Sequence, residues 1–213
     1  MATRKIAPAA FVALLVATHA VFAAQIQHAS EDASAVAQYK QLHLSKNPMA
    51  ADAGEYKLDP HHTSVTVKLA HMDLSRYTLR FNRVNGGFRF DPSLSSASNL
   101  KISIDPASVD TGDQMFDKRI AQKYFESAKY PVITFASATA KIVGGQATVD
   151  GVLDFHGVKK PVTLKVTYRG STQSRMGFSG EATFKRSEFG VSEWVPLEAD
   201  EVTILVETEL VKA

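Results

Sequence analysis

The residues in this chain that could do chemistry are few and scattered. His61, His62 and His71 offer imidazoles for a metal set. His61 and His62 are adjacent, however, and on a strand adjacent side chains point to opposite faces, so a shared metal is not expected. His156 stands directly before Gly157 in a turn context. It reads as a hydrogen-bonded structural histidine rather than a base. Asp59, Asp105 and Asp110 also occupy turn contexts, where a carboxylate accepts backbone N–H bonds. Ser and Asp are numerous enough for some Ser/His/Asp combination to arise by chance, and no nucleophile-elbow spacing accompanies one. Arg186 precedes Ser187 and Phe189-Gly190. It is a candidate for a structural ion pair at a barrel end or for a contact to a ligand head group, with the structural role favoured. The chain has no cysteine, which excludes disulfides, a thiol nucleophile, thiolate metal sites and a lipidated N-terminal cysteine. No residue set commits the chain to catalysis, and none requires a metal or a cofactor.

The elements that would position these residues are strands. Val65, Val67 and Leu69 share one face, as do Leu100, Ile102 and Ile104, and as do Val202, Ile204 and Val206. The polar residues between them fall on the other face. That period of two argues half-buried strands. The pattern predicts strands near 63–70, 76–83, 86–91, 99–105, 132–143, 146–156, 161–170, 175–186 and 201–211. Asp59-Pro60 reads as a turn before the first. Asn85-Gly86 is a strong hairpin signal between the second and third, and Gly144-Gly145 marks another hairpin. One helix is predicted over 113–125, where Phe116, Ile120 and Tyr124 recur at i, i+4 and i+8. The expected fold is all-β: an antiparallel barrel of about eight strands with one short helix able to close an end. Such a barrel is either just filled by its own side chains or holds one small ligand.

Its inward faces are rich in aromatics. Phe81, Phe88, Phe90, Phe135, Phe155, Phe178 and Phe184 all occupy apolar-face positions, with Gly151, Gly180 and Ala182 among them. Large and small residues could alternate to fill a tapering core, or the small ones could keep a tunnel open. Periodicity alone does not separate these. On the tunnel reading, the lining comprises Phe81, Phe90, Phe135, Leu153, Phe155 and Phe178, with Gly151 and Gly180 leaving room.

The N-terminus carries an export pattern. Arg4 and Lys5 precede an apolar run over Ile6–Phe22, and Val21 and Ala23 stand at small-residue positions for cleavage after Ala23. The run is shorter than the roughly 20 residues a membrane span needs, so residues 1–23 are expected to be a signal peptide and the mature protein to be soluble and periplasmic. The full chain has 24 Lys+Arg and 22 Asp+Glu. The first 23 residues contain Arg4 and Lys5 and no acid, so the mature chain is formally neutral and has no nucleic-acid footprint. Residues 24–53 read as a loosely held arm or linker. Ser30 could cap a short helix through Val36, Tyr39 and Leu42, stopped by Asn47-Pro48. Residues 54–213 form one domain.

Several blocks along that domain resemble the YceI-like family. Asp59-Pro60-His61-His62-Thr63-Ser64-Val65 is similar to its opening Asp-x-x-His-Ser-x-Val segment. Gly87-Phe88-x-Phe90-Asp91-Pro92 and Ile104-Asp105-x-x-Ser108-Val109-Asp110-Thr111-Gly112 resemble its next blocks. So do Tyr124-Phe125-Glu126 with Tyr130-Pro131-x-Ile133-Thr134-Phe135, Gly151-x-Leu153-x-Phe155-His156-Gly157-Val158, and Arg186-Ser187-Glu188-Phe189-Gly190-Val191. The blocks fall in order over essentially all of 54–213. The resemblance implies a lipocalin-like antiparallel barrel with an internal apolar tunnel that binds an isoprenoid-chain lipid, such as a polyprenyl or quinone tail. The family's Asp-x-His-Leu helix motif has its nearest match in Asp117-Lys118-Arg119-Ile120, so Arg119 stands in place of the histidine. Arg119 and Arg186 are the candidates for head-group contact.

Burying one methylene is worth about 0.8 kcal/mol, so a five-carbon isoprene unit is worth roughly 4 kcal/mol before ordering costs. The sequence therefore reads as a non-enzymatic, exported lipid carrier whose partner is an apolar isoprenoid ligand. A homodimer is compatible with it. Two alternatives stay open: an enzyme acting on a bound isoprenoid or quinone, and a structural stress protein with a filled barrel.

Overall fold

The structure is a computed structural model that describes residue 27, residues 30–38, residue 42 and residues 44–213. The expected signal segment 1–23 and its cleavage site lie outside the described residues, as does Tyr39. The chain divides into two units, Met1–His43 and Leu44–Ala213. In the first, residues 30–38 form a helix, α1, whose side chains are all exposed. Ser30 does not cap it. Ser30 is itself helical and donates its hydroxyl to the Gln27 carbonyl at 2.8 Å.

The second unit is a closed antiparallel barrel. Its strands are β1 (Gly54–His71), β2 (Ser75–Phe81), β3 (Val84–Asp91), β4 (Ser96–Ile104), β5 (Val109–Asp110), β6 (Ile133–Lys141), β7 (Gln146–Phe155), β8 (Val158–Ser171), β9 (Arg175–Lys185) and β10 (Glu201–Lys212). The order is β10-β9-β8-β7-β6-β4-β3-β1-β2-β5, and β10 also pairs with β1. Eight strands thus close the ring, while β2 and β5 extend it at one end.

The first strand makes this possible. Asp59-Pro60 was expected to be a turn, but β1 runs through it with an irregularity between Leu58 and Thr63 opposite Leu210 and Thr208. Proline has no N–H for a ladder and is tolerated at a bulge. The Asp59 carboxylate stabilises the bend by accepting the His61 N–H at 3.0 Å, His62 Nδ1 at 2.9 Å and Arg175 Nη1 at 2.7 Å. Arg175 reaches Glu209 on the partner strand at the same distance. Before the bend β1 pairs with β3 over Gly54–Lys57; after it, β1 pairs with β2 over Val65–His71.

The Asn85-Gly86 hairpin is corrected by the structure. β2 and β3 do not pair with each other, and Asn85-Gly86 lies inside β3. The glycines serve close approach instead. A side chain at Gly86 would collide with the Lys101 carbonyl of β4, and one at Gly87 with the Tyr56 carbonyl of β1. The Gly144-Gly145 hairpin stands as expected, with both residues at positive φ between β6 and β7.

The helical segment is α2 (Gln114–Arg119), capped by the Asp113 carboxylate at the Met115 and Phe116 N–H groups, and it continues as a single π turn over Ile120–Tyr124. Ile120 and Ala121 are buried against Phe81, Val109 and Phe155, so the segment packs against the β2–β5 end. The opposite end is filled by a second cluster around Tyr56, Phe88, Phe90, Tyr168, Met176 and Leu210.

Residues 44–53 run against the barrel. Ser45 and Ser171 exchange two backbone hydrogen bonds of 2.9 Å, the Lys46 ammonium bonds the Arg169 carbonyl, and Ala51 is buried in the second cluster. Asn47 caps the turn Pro48–Ala50 by accepting the Met49 N–H.

Candidate functional site: an apolar cavity with a polar mouth

The barrel encloses a cavity of about 480 Å³, within the range typical of small-molecule sites. Its own side chains therefore do not fill it. Val65, Val67 and Leu69 from β1, Leu100, Ile102 and Ile104 from β4, and Val202, Ile204 and Val206 from β10 form the walls. All six predicted lining residues, Phe81, Phe90, Phe135, Leu153, Phe155 and Phe178, face the cavity. Gly180 also lines it, with the Leu164 side chain 3.4–3.5 Å from where a Cβ would sit. Gly151 does not leave the room expected of it: the Phe135 ring occupies the space a side chain there would need.

The floor is aromatic. Tyr56 stacks on Phe88 with centroids 5.9 Å apart, and Phe178 meets Phe88 at 5.8 Å and Tyr168 at 5.6 Å. Burial raises the phenol pKa of both tyrosines above its ordinary value, so their hydroxyls stay protonated.

The charged groups gather at the other end, while Thr63, Ser179 and Thr208 are the polar residues along the rest of the wall. His71, Tyr77, Phe116, Tyr124, Glu193, Trp194 and Glu198 all line the cavity there. Trp194 is 60% exposed, which marks the mouth. Its indole N–H donates to the Tyr124 hydroxyl at 3.1 Å, linking the 190–200 loop to the helical segment. Tyr77 packs edge-on against Phe116 at 6.0 Å. Burial, reinforced by the carboxylates of Asp117, Glu198 and Asp113 and partly offset by a hydrogen bond with Thr111, raises the Tyr77 pKa.

Arg186 holds the loop that forms the mouth. It is 8% exposed and lies on the cavity wall. Its Nε donates to the Ala199 carbonyl at 3.0 Å, Nη1 to Val191 at 3.3 Å, and Nη2 to Glu193 at 2.8 Å and Glu198 at 3.2 Å. It forms no ion pair among the described residues, so the expected salt bridge is replaced by a clamp on four backbone carbonyls. Arg119 is not brought together with it. Phe116 lines the cavity and Ile120 is buried, whereas Arg119, about 100° round the helix from Ile120, is exposed and outside the lining.

The remaining candidates lie elsewhere. His62 bonds Asp59 at the β1 bend, while His71 sits at the mouth. Among the described residues no three His, Asp or Glu side chains are grouped to hold a metal. His156 has its Nδ1 3.2 Å from the Phe189 carbonyl, its Nε2 2.8 Å from the Glu126 carboxylate and its ring against Tyr130 at 4.4 Å. It does not line the cavity and joins three turns. Asp59, Asp105 and Asp110 each accept the backbone N–H two residues on. Sequence reasoning missed Glu193, Trp194 and Glu198, because a loop has no period. The one signal there is a lone tryptophan in a polar stretch.

The family model for the YceI-like domain matches residues 56–210, from the floor tyrosine to the last buried residue of β10. The chain belongs to the YceI-like family. It is 33% identical over 184 residues to a UPF0312 protein of Pseudomonas paraeruginosa, covering 83% of this chain and 95% of that one. A Vibrio cholerae UPF0312 protein is 32% identical over 153 residues, covering 68% of this chain and 81% of that one. Among solved structures, the BcnA protein of Burkholderia cenocepacia superposes with a TM-score of 0.65 at 29% identity, covering 71% of this chain and 98% of that chain. A polyisoprenoid-binding domain from Saccharophagus degradans shares the fold, with a TM-score of 0.62 at 19% identity over 74% of this chain and 98% of that one. Among the described residues, no helix of this YceI-like protein is long and apolar enough to cross a membrane.

Proposed function

We propose that this YceI-like protein is an exported, periplasmic carrier that binds the chain of an isoprenoid lipid, polyprenyl or quinone-like, inside its barrel and performs no catalysis on it. The observation that carries the reading is the 480 Å³ cavity, walled mainly by aliphatic and aromatic side chains with its charged groups at one end. An apolar chain gains about 0.8 kcal/mol per methylene buried there, and a polar head gains by staying at the mouth. That division matches an amphiphile with a long apolar tail. The solved polyisoprenoid-binding domain of the same fold agrees with it at the level of architecture. The binding unit is the barrel from residue 54, preceded by the arm 24–53 and the signal 1–23.

Native mass spectrometry of protein purified from a periplasmic extract, with extraction of whatever co-purifies, tests the reading. A bound lipid that yields an isoprenoid chain is the expected result. Protein that carries no lipid and takes up no added geranylgeraniol would overturn it.

A further inference from the structure

Glu193 lines the cavity, and its carboxylate Oε2 is buried with no hydrogen-bond partner among the described residues. A buried acceptor left without a donor is costly, and one that faces a cavity can be satisfied by a donor bound there. Beside it, Arg186 has spent four of its N–H groups on loop carbonyls. A guanidinium has five, so one hydrogen on Nη1 remains without an acceptor among the described residues. Both residues line the cavity, and they are neighbours, since Arg186 Nη2 donates to the Glu193 main-chain carbonyl at 2.8 Å.

We propose that Glu193 and Arg186 form a head-group subsite selective for an uncharged hydroxyl, the head of a prenyl alcohol or of a phenol, over a phosphate. A hydroxyl supplies both halves of the match from a single atom. It donates to Glu193 Oε2 and accepts the remaining Arg186 N–H. A phosphate carries no proton for Glu193 when ionised, needs several donors where one remains, and sits beside the carboxylates of Glu193 and Glu198 that also line the mouth. An amine would donate to Glu193, but as a cation it meets Arg186 with no lone pair to offer. This inference rests on the lipid-binding reading and names the class of lipid.

Binding of three probes with one tail to the purified chain tests it: geranylgeraniol, its methyl ether and geranylgeranyl monophosphate. The wild type is expected to bind the alcohol about tenfold more tightly than either other probe, as the satisfaction of one buried group implies. Glu193→Ala should bring alcohol and ether within about twofold while ether affinity is retained, which also shows that the barrel is folded. Glu193→Gln keeps an acceptor oxygen and removes the charge, so it should keep the alcohol and gain phosphate affinity. A wild type that binds the phosphate as tightly as the alcohol, or an alcohol preference that survives Glu193→Ala, overturns the subsite and leaves the carrier reading standing. Failure of all three probes to bind overturns the carrier reading and the subsite with it.

Discussion

The Trp194 indole N–H donates to the Tyr124 hydroxyl at 3.1 Å, so two segments far apart in the chain meet across the mouth of the barrel. Trp194 is also the only tryptophan in the sequence. Its emission should therefore shift and saturate as geranylgeraniol is titrated in, which fluorescence reads directly. Tyr124→Phe removes the acceptor and keeps the reporter. One neutral hydrogen bond is worth about 1 kcal/mol, so ligand dissociation should speed up about fivefold. An emission spectrum blind to bound lipid would place the ligand away from this end.

Gly180 faces the cavity beside Leu164. Gly180→Leu should intrude into open space rather than into a filled core. Displacing contact worth two methylenes costs about 1.6 kcal/mol, so lipid affinity should fall by at least about tenfold while the melting temperature stays near wild type. Overpacking a filled core would instead cost about 1–3 kcal/mol of stability and leave uptake alone. Parallel melting and binding curves separate these outcomes.

Asp59 lies at the β1 bend, where hydrogen bonds from His62, from Arg175 and from the His61 backbone hold its carboxyl well below the usual carboxylate range. A depressed folded-state pKa adds stability that is fully present above the unfolded value of about 4 and is lost as pH falls below it. Asp91, Asp110 and Asp200 are shifted the same way, mainly by hydrogen bonds with Ser93, Asn82 and Ser187. Melting temperatures between pH 7 and pH 3 should fall toward acid, and Asp59→Asn should be less stable at pH 7 with a shallower acid slope. Parallel curves for the two proteins would show that the bend does not depend on this charge.

Residues 44–53 touch the barrel through the Ser45–Ser171 pair and Ala51, and Asp52 accepts from the Tyr56 hydroxyl at 2.8 Å and the Lys212 ammonium at 3.0 Å. A chain starting at Gly54 should still fold and bind lipid. Losing the two Ser45–Ser171 bonds costs about 2 kcal/mol, or about 4–8 °C in melting temperature, relative to a chain starting at Leu44. Lost lipid uptake in the shorter chain would assign residues 44–53 to the binding site.

Val21-x-Ala23 sets the expected cleavage point. N-terminal sequencing of protein from the periplasmic fraction should begin at Ala24. Full-length precursor retained in the inner membrane would reject the signal peptide.

The period of two determined most of the barrel in advance. Because successive strand side chains alternate faces, Val65, Phe135, Leu153 and Ile204 could be placed inward before any partner strand was known, and all four line the cavity. The i, i+4 pattern likewise located the helical segment to within a residue or two. Asn85-Gly86 was misread because its turn chemistry is local, whereas the demand on Gly86 comes from the Lys101 carbonyl on a neighbouring strand. Gly151 and Gly180 look alike in sequence. Only packing shows that Phe135 takes the space beside the first and that the second borders the cavity. The mouth was the least legible part. Arg186, Glu193, Trp194 and Tyr124 meet through contacts between a loop and a helix, and loops carry no periodicity from which such meetings can be read. Alternation along each strand is a property of the local backbone, so the sequence alone could determine it. Whether the barrel closes around open space, and which groups ring its opening, depends on pairing between distant segments, and that the tertiary structure decided.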